Sequence, residues 1–328
     1  YFTKGSHTGI IEVEIKHESF KFGLNICEDI WNDAKIVIKQ SQKNIDWLIN
    51  ISASPYSSGK IGSRIRMLQK RCRDNNANLV YCNMYGGQDE LVFDGTSVII
   101  DNKGDILAQC KTFAEQLLIF DTLKPEKQIE PRLDKLTEIY QALKLSTKDY
   151  FHKNGFKKAI ICLSGGIDSA LTAAIAADAL GGDNITGLLL PSKFSSDHSL
   201  DDAIELAKNL GIKTHTIEIE PFHAGFEKTL SPLMGDYYQN LTDENIQARI
   251  RGVIAMSFAN NQNAILLSTG NKSEIAVGYS TLYGDMAGGF AIIKDLFKLQ
   301  VYQLCEYRNE ISHVIPKNTI TKPPSAEL

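Results

Sequence analysis

The chain has 328 residues, 43% hydrophobic and 23% charged, which excludes disordered and fibrous classes and allows, at roughly 150 residues per domain, two domains. A formal net charge of −4 argues against a general nucleic-acid binder, which carries a basic excess. No apolar run reaches the roughly 18 residues of a membrane span, because Asp178 interrupts the richest stretch and Asp168 precedes it.

In chain order, residues 10–26 read as two strands. The second, 20–26, alternates apolar and other side chains, as a strand with one buried face does, and it ends at Cys27. A helix is predicted over 33–43 and a strand over 47–51, which runs into the turn-rich SASPYSSGK. A helix follows over 61–75. Its Arg64, Arg66, Lys70, Arg71 and Arg73 have no interleaved aromatic, so a solvated face or an inter-domain contact is expected, not a nucleic-acid patch. Strand-like runs recur at 79–84, 97–100, 106–110 and 117–120. Residues 122–131, TLKPEKQIEP, are polar with two prolines and read as a linker. Beyond them a helix over 133–153 leads to a strand over 159–163, then SGGIDS and a helix to residue 180. A strand over 185–190, a helix over 199–210, a strand over 213–218, a helix over 243–260 and a strand over 264–268 complete the pattern. Alternating strands and helices predict a parallel sheet with right-handed crossovers.

The six cysteines form no C-x-x-C pair and the seven histidines no H-x-x-x-H. Neither a zinc site nor a disulfide framework is predicted, and a reducing, cytoplasmic compartment is the expectation. The histidines are assigned no role.

The strongest signal is Ser164-Gly165-Gly166-Ile167-Asp168-Ser169, between a buried strand and a helix. Such a turn offers free backbone N–H groups and the positive helix end to an anion. Gly165 and Gly166 permit close backbone approach, and Ser164 and Ser169 add hydroxyl donors. Asp168 would repel a phosphate unless a cation lay between them, so it reads as a magnesium ligand. Neither G-K-[ST] nor G-x-G-x-x-G is present. The bland reading is a glycine-containing turn with Asp168 as a first-turn helix acid. SGGIDS resembles the pyrophosphate-binding loop of ATP pyrophosphatases, with Cys162 where many members have Gly.

Further runs narrow the resemblance: LLLPSKFSSDHS at 188–199, ENIQARIR at 244–251, STGNKSEIAVGYSTLYGD at 268–285, Lys298 and the terminal KPPSAEL. Together they resemble the NAD synthetase family across 131–328. The resemblance implies ATP contacts at Leu163, Ser164, Gly165, Gly166, Ile167, Asp168, Ser169, Thr269 and Lys298. It implies Mg²⁺ ligands at Asp168 and Glu274. Contacts to deamido-NAD are implied at Asn245, Arg249, Glu274, Tyr279, Ser280, Thr281 and Leu282. Taken singly, Lys298 reads equally as a solvated helix charge, Arg249 as an ion-pair partner and Asn245 as a residue near a helix start. Leu282 and Gly289 stand where ammonia-dependent members often have Lys and Asp, which is compatible with the glutamine-dependent branch.

In the first half, Cys27 sits on a strand-to-helix turn, where a thiol is an addressable nucleophile and the helix start favours thiolate; a lone Cys there is more often a small buried hydrophobe. CEDIW at 27–31 and NISASPYSSGK at 50–60 resemble the nitrilase-type glutaminase domain of glutamine-dependent NAD synthetases, over about 1–121. That implies Cys27 as the nucleophile forming a glutamyl thioester, with Ser54 and Lys60 contacting glutamine. The family's Glu–Lys–Cys triad is not complete here. Lys4, Lys16, Lys21, Glu12, Glu14 and Glu18 precede Cys27 outside the family's pattern, and none is assigned. The sequence reads as a fragment missing both ends.

The expected architecture is α/β throughout. It comprises a partial nitrilase-like α-β-β-α sandwich over 1–121, the linker 122–131, and over 132–328 a doubly wound parallel sheet of the adenine-nucleotide alpha-hydrolase type. The implied partners are ATP, deamido-NAD and glutamine or ammonia, with no nucleic acid or membrane, in a homo-oligomer built on the synthetase domain. Three rivals are weighed against this. A GMP or asparagine synthetase shares the ATP loop, but CEDIW argues against it. An amidase with a merely nucleotide-binding second half is opposed by the intact Asp168 and Glu274. A nucleotide-sensing module predicts binding without pyrophosphate release.

Overall fold

The computed structural model describes residues 7–15, 17–31, 35–122, 124–192, 197–234 and 241–323. Lys4, Lys16, the predicted helix start at 33–34, residues 193–196 of LLLPSKFSSDHS and most of KPPSAEL lie outside these. The chain divides into two compact units between Ala142 and Leu143, within helix α3 (Lys135–Lys153).

The first unit is built on a seven-stranded mixed sheet. Its elements are β1 (Ile10–Ile15), β2 (Glu18–Ile26), α1 (Lys35–Ser41), β3 (Trp47–Ser52), α2 (Lys60–Asn75), β4 (Asn78–Asn83), β5 (Tyr85–Gln88), β6 (Leu91–Asp94), β7 (Val98–Ile100), β8 (Ile106–Gln109) and β9 (Gln128–Ile129). The sheet order is β1-β2-β3-β4-β7-β8-β9, and β5 with β6 forms a separate hairpin. Strands β2, β3 and β4 run parallel in register, with Ile26 beside Ile51 and Ile51 beside Cys82. Side chains alternate across such a sheet. One face, with Leu48, Leu79, Tyr81 and Ile100, joins Ile30 and Val37 with Leu68 and Cys72 of α2 in a single core. The other face is also apolar, yet Ile26 is 70% and Ile51 63% exposed.

Several readings change in this unit. Residues 117–120 form no strand: Leu117 is 88% and Ile119 78% exposed, and the neighbouring edge of β8 is taken instead by β9. Gln128 and Ile129, inside the segment read as a linker, pair with Ala108 and Gln109. The β5–β6 hairpin has no clear sequence pattern because Gly86 and Gly87 interrupt the alternation. The basic helix α2 is a solvated face only in part: Arg66, Lys70 and Arg73 are exposed, whereas Arg64 and Arg71 turn inward. Arg64 is fully buried and forks onto Asp94, Nη1 reaching Oδ2 at 3.0 Å. Arg71 donates to the Ile30 carbonyl at 2.9 Å, and Lys70 pairs with Asp74 one turn on.

The second unit carries a five-stranded parallel sheet. Its elements are β10 (Ala159–Cys162), α4 (Ile167–Leu180), β11 (Ile185–Leu189), α5 (Asp197–Leu210), β12 (Lys213–Thr216), α6 (Glu220–Met234), α7 (Leu241–Gln262), β13 (Ile265–Ser268), α8 (Lys272–Ala276), β14 (Phe290–Ala291), α9 (Lys298–Ile311) and α10 (Lys317–Thr321). The order is β12-β11-β10-β13-β14, all parallel. The strands are short, near-continuous apolar runs because helices cover both faces. Ile160, Leu188 and Leu266 pack with Ile246, Ile250, Ala255 and Ala259 of α7, while α4 packs against α5, α9 and α10. The chain steps outward from β10 through β11 to β12, then returns to lay β13 on the other side of β10. That reversal leaves a crevice beyond the carboxyl ends of β10 and β13, the place where open α/β sheets bind ligands. SGGIDS follows β10 and TGNKSE follows β13. Among the described residues, no helix is long and apolar enough to cross a membrane.

The Arg64–Asp94 pair predicts a stability effect. Arg64→Ala leaves a buried carboxylate without its partner and should lower the first unit's stability by about 3–5 kcal/mol. Replacing both residues by apolar ones of similar volume should restore most of it. Urea unfolding of both variants checks this.

Candidate functional site

The turn after β10 is shaped by steric exclusion. Gly165 has φ +74°, and a Cβ there would lie 2.2 Å from the carbonyl oxygen of Ser199 on α5. Only glycine meets both demands. The two serines then tie the turn together: Ser164 Oγ lies 3.1 Å from Ser169 Oγ, Gly166 N–H donates to Ser164 Oγ at 3.2 Å and Ser169 Oγ donates to Gly166 O at 2.9 Å. Leu163, buried, is held to β11 through its N–H to Leu188 O at 2.9 Å. Ile167 is buried at the helix start, where its carbonyl faces the Cys305 thiol. Cys162, the departure from glycine, closes β10 opposite Leu188, and burial pushes its thiol pKa up to about 11.

Asp168, on the first turn of α4, meets residues far along the chain. Lys298, the first residue of α9, places its ammonium on Asp168 Oδ2 and 3.6 Å from Glu274 Oε1. Asn271 donates from Nδ2 to Asp168 Oδ1 at 2.8 Å. It also caps α8: its Oδ1 accepts from Glu274 N–H at 3.0 Å, and its own N–H donates to Glu274 Oε2 at 3.2 Å. Lys298 is oriented through its N–H to Ser273 Oγ at 3.0 Å. Burial opposes the Lys298 charge, but the bond to Asp168 and the charges of Asp168 and Glu274 outweigh it, so its pKa is raised. Glu274 is raised by burial first and then by the Asp168 charge, against the Asn271 and Lys298 contacts.

The donor set suits one small hard cation. Asp168 Oδ2 and Glu274 Oε1 already converge on one positive charge, the Lys298 ammonium. No group of three or more His, Cys, Asp or Glu that could hold a metal occurs among the described residues. Two carboxylates are the usual protein share for Mg²⁺, which takes its other ligands from phosphates and water. Thr269 follows β13 directly, half-buried at the same end of the sheet.

A second group forms along α7. Asn245 and Arg249, one helical turn apart, both hold the segment after α8. Thr281 Oγ1 donates to Asn245 Oδ1 at 2.7 Å, and Arg249 Nε donates to Leu282 O at 3.2 Å. Asp285 accepts from Thr281 N–H at 2.6 Å and folds the segment back. Tyr279 is tied to α8 through its N–H to Glu274 O at 2.9 Å, and Ser280 N–H donates to Gly278 O at 3.0 Å. The side chains of Tyr279 and Leu282 are exposed. His223, assigned no role from sequence, is buried on α6 and bonded through Nε2 to Asp243 at the start of α7.

In the first unit Cys27 begins a 3-10 turn over Cys27–Ile30. Its φ of +43° is uncommon for a side-chain-bearing residue. The turn is held from three directions. Asp29 Oδ2 accepts from Ile26 N–H at 2.9 Å. Arg71 holds the Ile30 carbonyl. Beneath them lies a chain of buried amides, in which Asn50 Nδ2 donates to Asn25 Oδ1 at 2.6 Å and Asn25 faces Gln40. Ser54 is buried, its N–H donating to Asn83 Oδ1 at 2.9 Å. Lys60 donates to Pro55 O at 2.9 Å and lies 5.6 Å from the centre of the Trp31 ring.

Sequence reasoning missed Asn271, Asn25, Asn50 and Asn83. Asn271 was readable as a helix N-cap three residues before an acid. The other three left no signal, because an asparagine inside a strand looks like an outward polar position.

A parallel α/β unit with a glycine–serine turn after β10 and two acids at its switch point defines the doubly wound, adenine-nucleotide class of domain. The family model described as NAD synthase matches residues 139–328, and the one described as carbon-nitrogen hydrolase matches 1–123. The chain belongs to the NAD synthase family. It is 45% identical to a glutamine-dependent NAD(+) synthetase of Acinetobacter baylyi, covering 100% of this chain and 61% of the relative. It is 44% identical to one of Synechocystis, covering 95% and 59%. A solved glutamine-dependent NAD+ synthetase of Acinetobacter baumannii, in complex with ADP, superposes with a TM-score of 0.92 at 42% identity, over 99% of this chain and 62% of that one. The chain thus spans about three fifths of the length of the relatives it matches.

Two outcomes follow from the geometry. Gly165→Ala should destabilise the second unit by about 2 kcal/mol or more, from the left-handed backbone and the Ser199 contact together, read as a lower thermal midpoint. Glu274 binds its proton more readily folded than unfolded, where its pKa is 4.5. Its contribution to the metal-free protein is therefore fully present below that value and is lost as pH rises through the higher folded pKa. Glu274→Gln should flatten this slope and leave the midpoint at neutral pH no lower, measured by melts in EDTA across about pH 5 to 8.

Proposed function

We propose that the protein is a glutamine-dependent NAD synthetase. The observation that carries the reading is the convergence of Asp168, Glu274 and Lys298 on the SGGIDS turn at the switch point. Deamido-NAD ends in a nicotinate carboxylate, which ammonia does not attack productively. Adenylation supplies the leaving group: the carboxylate displaces pyrophosphate from ATP, giving a nicotinate adenylate. Ammonia then attacks the carbonyl carbon, and AMP departs with the bonding electrons to leave NAD.

Each part of the site has a task in this sequence. The N–H groups at Gly165–Asp168 and the hydroxyls of Ser164 and Ser169 cradle the pyrophosphate, with Leu163 and Ile167 fixing the turn from below. Asp168 and Glu274 hold Mg²⁺, which when bound neutralises phosphate charge. Lys298 supplies a further positive charge where negative charge develops on the departing pyrophosphate, and Thr269 lines the nucleotide. Asn245, Arg249, Tyr279, Ser280, Thr281 and Leu282 place the deamido-NAD. At the other site Cys27 attacks the glutamine amide, forming a thioester and releasing ammonia, and water then frees glutamate. Ser54 and Lys60 hold the glutamine, and the amide chain below Cys27 fixes the nucleophile's backbone. The domain limits proposed are 1–121 for the glutaminase part and 132–328 for the synthetase part. A homo-oligomer through the synthetase part is supported by the exposed Val253, Leu282 and Tyr283.

The test supplies ATP, Mg²⁺ and deamido-NAD with either ammonium or glutamine and follows NAD. Cys27→Ala should lower glutamine-driven formation by at least about a thousandfold and leave ammonium-driven formation unchanged. If neither nitrogen source yields NAD while pyrophosphate release follows a different acceptor, another adenylating amidotransferase is the better reading.

A further inference from the structure

Asn271 touches both carboxylates of the candidate metal site, and the pattern of its contacts says more than a helix cap requires. Capping α8 needs only an acceptor, the Asn271 Oδ1 that takes the Glu274 N–H at 3.0 Å. Serine, threonine or aspartate would serve equally. The amide nitrogen is surplus to capping, and it is aimed at Asp168 Oδ1 at 2.8 Å. Asn271 is 0% exposed, so no water competes for these bonds.

The four carboxylate oxygens divide between two partners. Asp168 Oδ1 and Glu274 Oε2 face Asn271, through its side-chain amide and its backbone N–H. Asp168 Oδ2 and Glu274 Oε1 face the Lys298 ammonium. One residue therefore takes the outer oxygen of each carboxylate and turns the inner oxygens toward a common cation. The two acids belong to α4 and α8, and like charges so close would otherwise swing apart.

We infer that Asn271 is the positioning residue of the magnesium site: its side-chain amide fixes Asp168 while its backbone N–H holds the Glu274 carboxylate, so that the two acids keep a shared spacing before a cation arrives. The inference rests on the reading of Asp168 and Glu274 as magnesium ligands given above. An aspartate here would cap α8 but repel Asp168. A serine would cap it and be too short to reach Asp168. That difference separates positioning from mere support of the fold.

The experiment measures, by calorimetry, binding of α,β-methylene-ATP to the full chain with Mn²⁺ and with EDTA. It compares the unmutated protein with Asn271→Ser and Asn271→Thr, both of which keep a capping hydroxyl. Thermal midpoints are recorded alongside, and the two variants are run in parallel so that a folding defect in one leaves the other as the test. The unmutated protein should bind the nucleotide more tightly with Mn²⁺ than without. Both variants should lose about tenfold to a hundredfold of that metal-dependent gain, with metal-free affinity and midpoint retained. Variants that keep the full gain overturn the inference. So do variants whose affinity falls equally with and without metal, because Asn271 then supports only the fold. An unmutated protein whose nucleotide affinity ignores Mn²⁺ overturns the magnesium reading itself, and the inference with it.

Discussion

Two carboxylates of like charge, Asp168 and Glu274, face one another at the carboxyl end of a parallel sheet, and the second unit is arranged around keeping them there. Left alone they would separate or take up a proton. The structure opposes both outcomes with Lys298 between the inner oxygens and Asn271 on the outer ones. Glu274 still has a raised pKa, from burial first and the Asp168 charge second. A bound cation would favour the charged form of both acids. A site that is more comfortable with a divalent ion than without one sacrifices some stability of the empty protein for binding, a common exchange at functional sites.

The topology explains why so few residues suffice. Because β13 returns beside β10, two loops far apart in sequence open into one crevice, and α4 and α8 begin there. The same reversal places α7 across the sheet, where Asn245 and Arg249 grip the 279–285 segment. His223 links α6 to the beginning of that helix through Asp243. Rigid elements thus carry the candidate groups, and the irregular segments between them are held by side-chain bonds to backbone.

The first unit follows a different economy. The face of its sheet toward α1 and α2 is apolar at Leu48, Leu79 and Tyr81, then turns polar toward the strand ends with Asn25, Asn50, Ser52 and Asn83, all buried. Those amides are hydrogen-bonded to the loops that carry Cys27 and Ser54. The opposite face keeps isoleucines to the end of β2 and β3, with Ile26 and Ile51 largely exposed. An apolar sheet face of this kind is the surface on which a second layer of an α-β-β-α arrangement rests. Buried charge is handled equally locally, by Arg64 forking onto Asp94.

Period and punctuation made most elements legible. Strand β10, the SGGIDS turn and helix α4 were readable because a buried apolar run, a glycine pair and an alanine-rich apolar continuation are each local properties. Residues 117–120 misled because a short apolar run alone does not supply a neighbouring strand, and β8 pairs with β9 instead. Arg64 misled because charge on a helix reads as solvent-facing until its partner, distant in sequence, is known. Asn25, Asn50 and Asn83 were silent for the same reason. The sequence by itself determined the two-part α/β plan and the glycine-dependent turn, since each follows from residue type and near-neighbour spacing, while Cys27, Glu274 and Lys298 were singled out beside Asp168 only through the resemblance to a known family. Only the tertiary structure decided that Asn271 joins both acids, that Lys298 stands between them and that Arg64 is buried. Those facts depend on which strand lies beside which, and that order is set by packing across the whole sheet, not by any one segment.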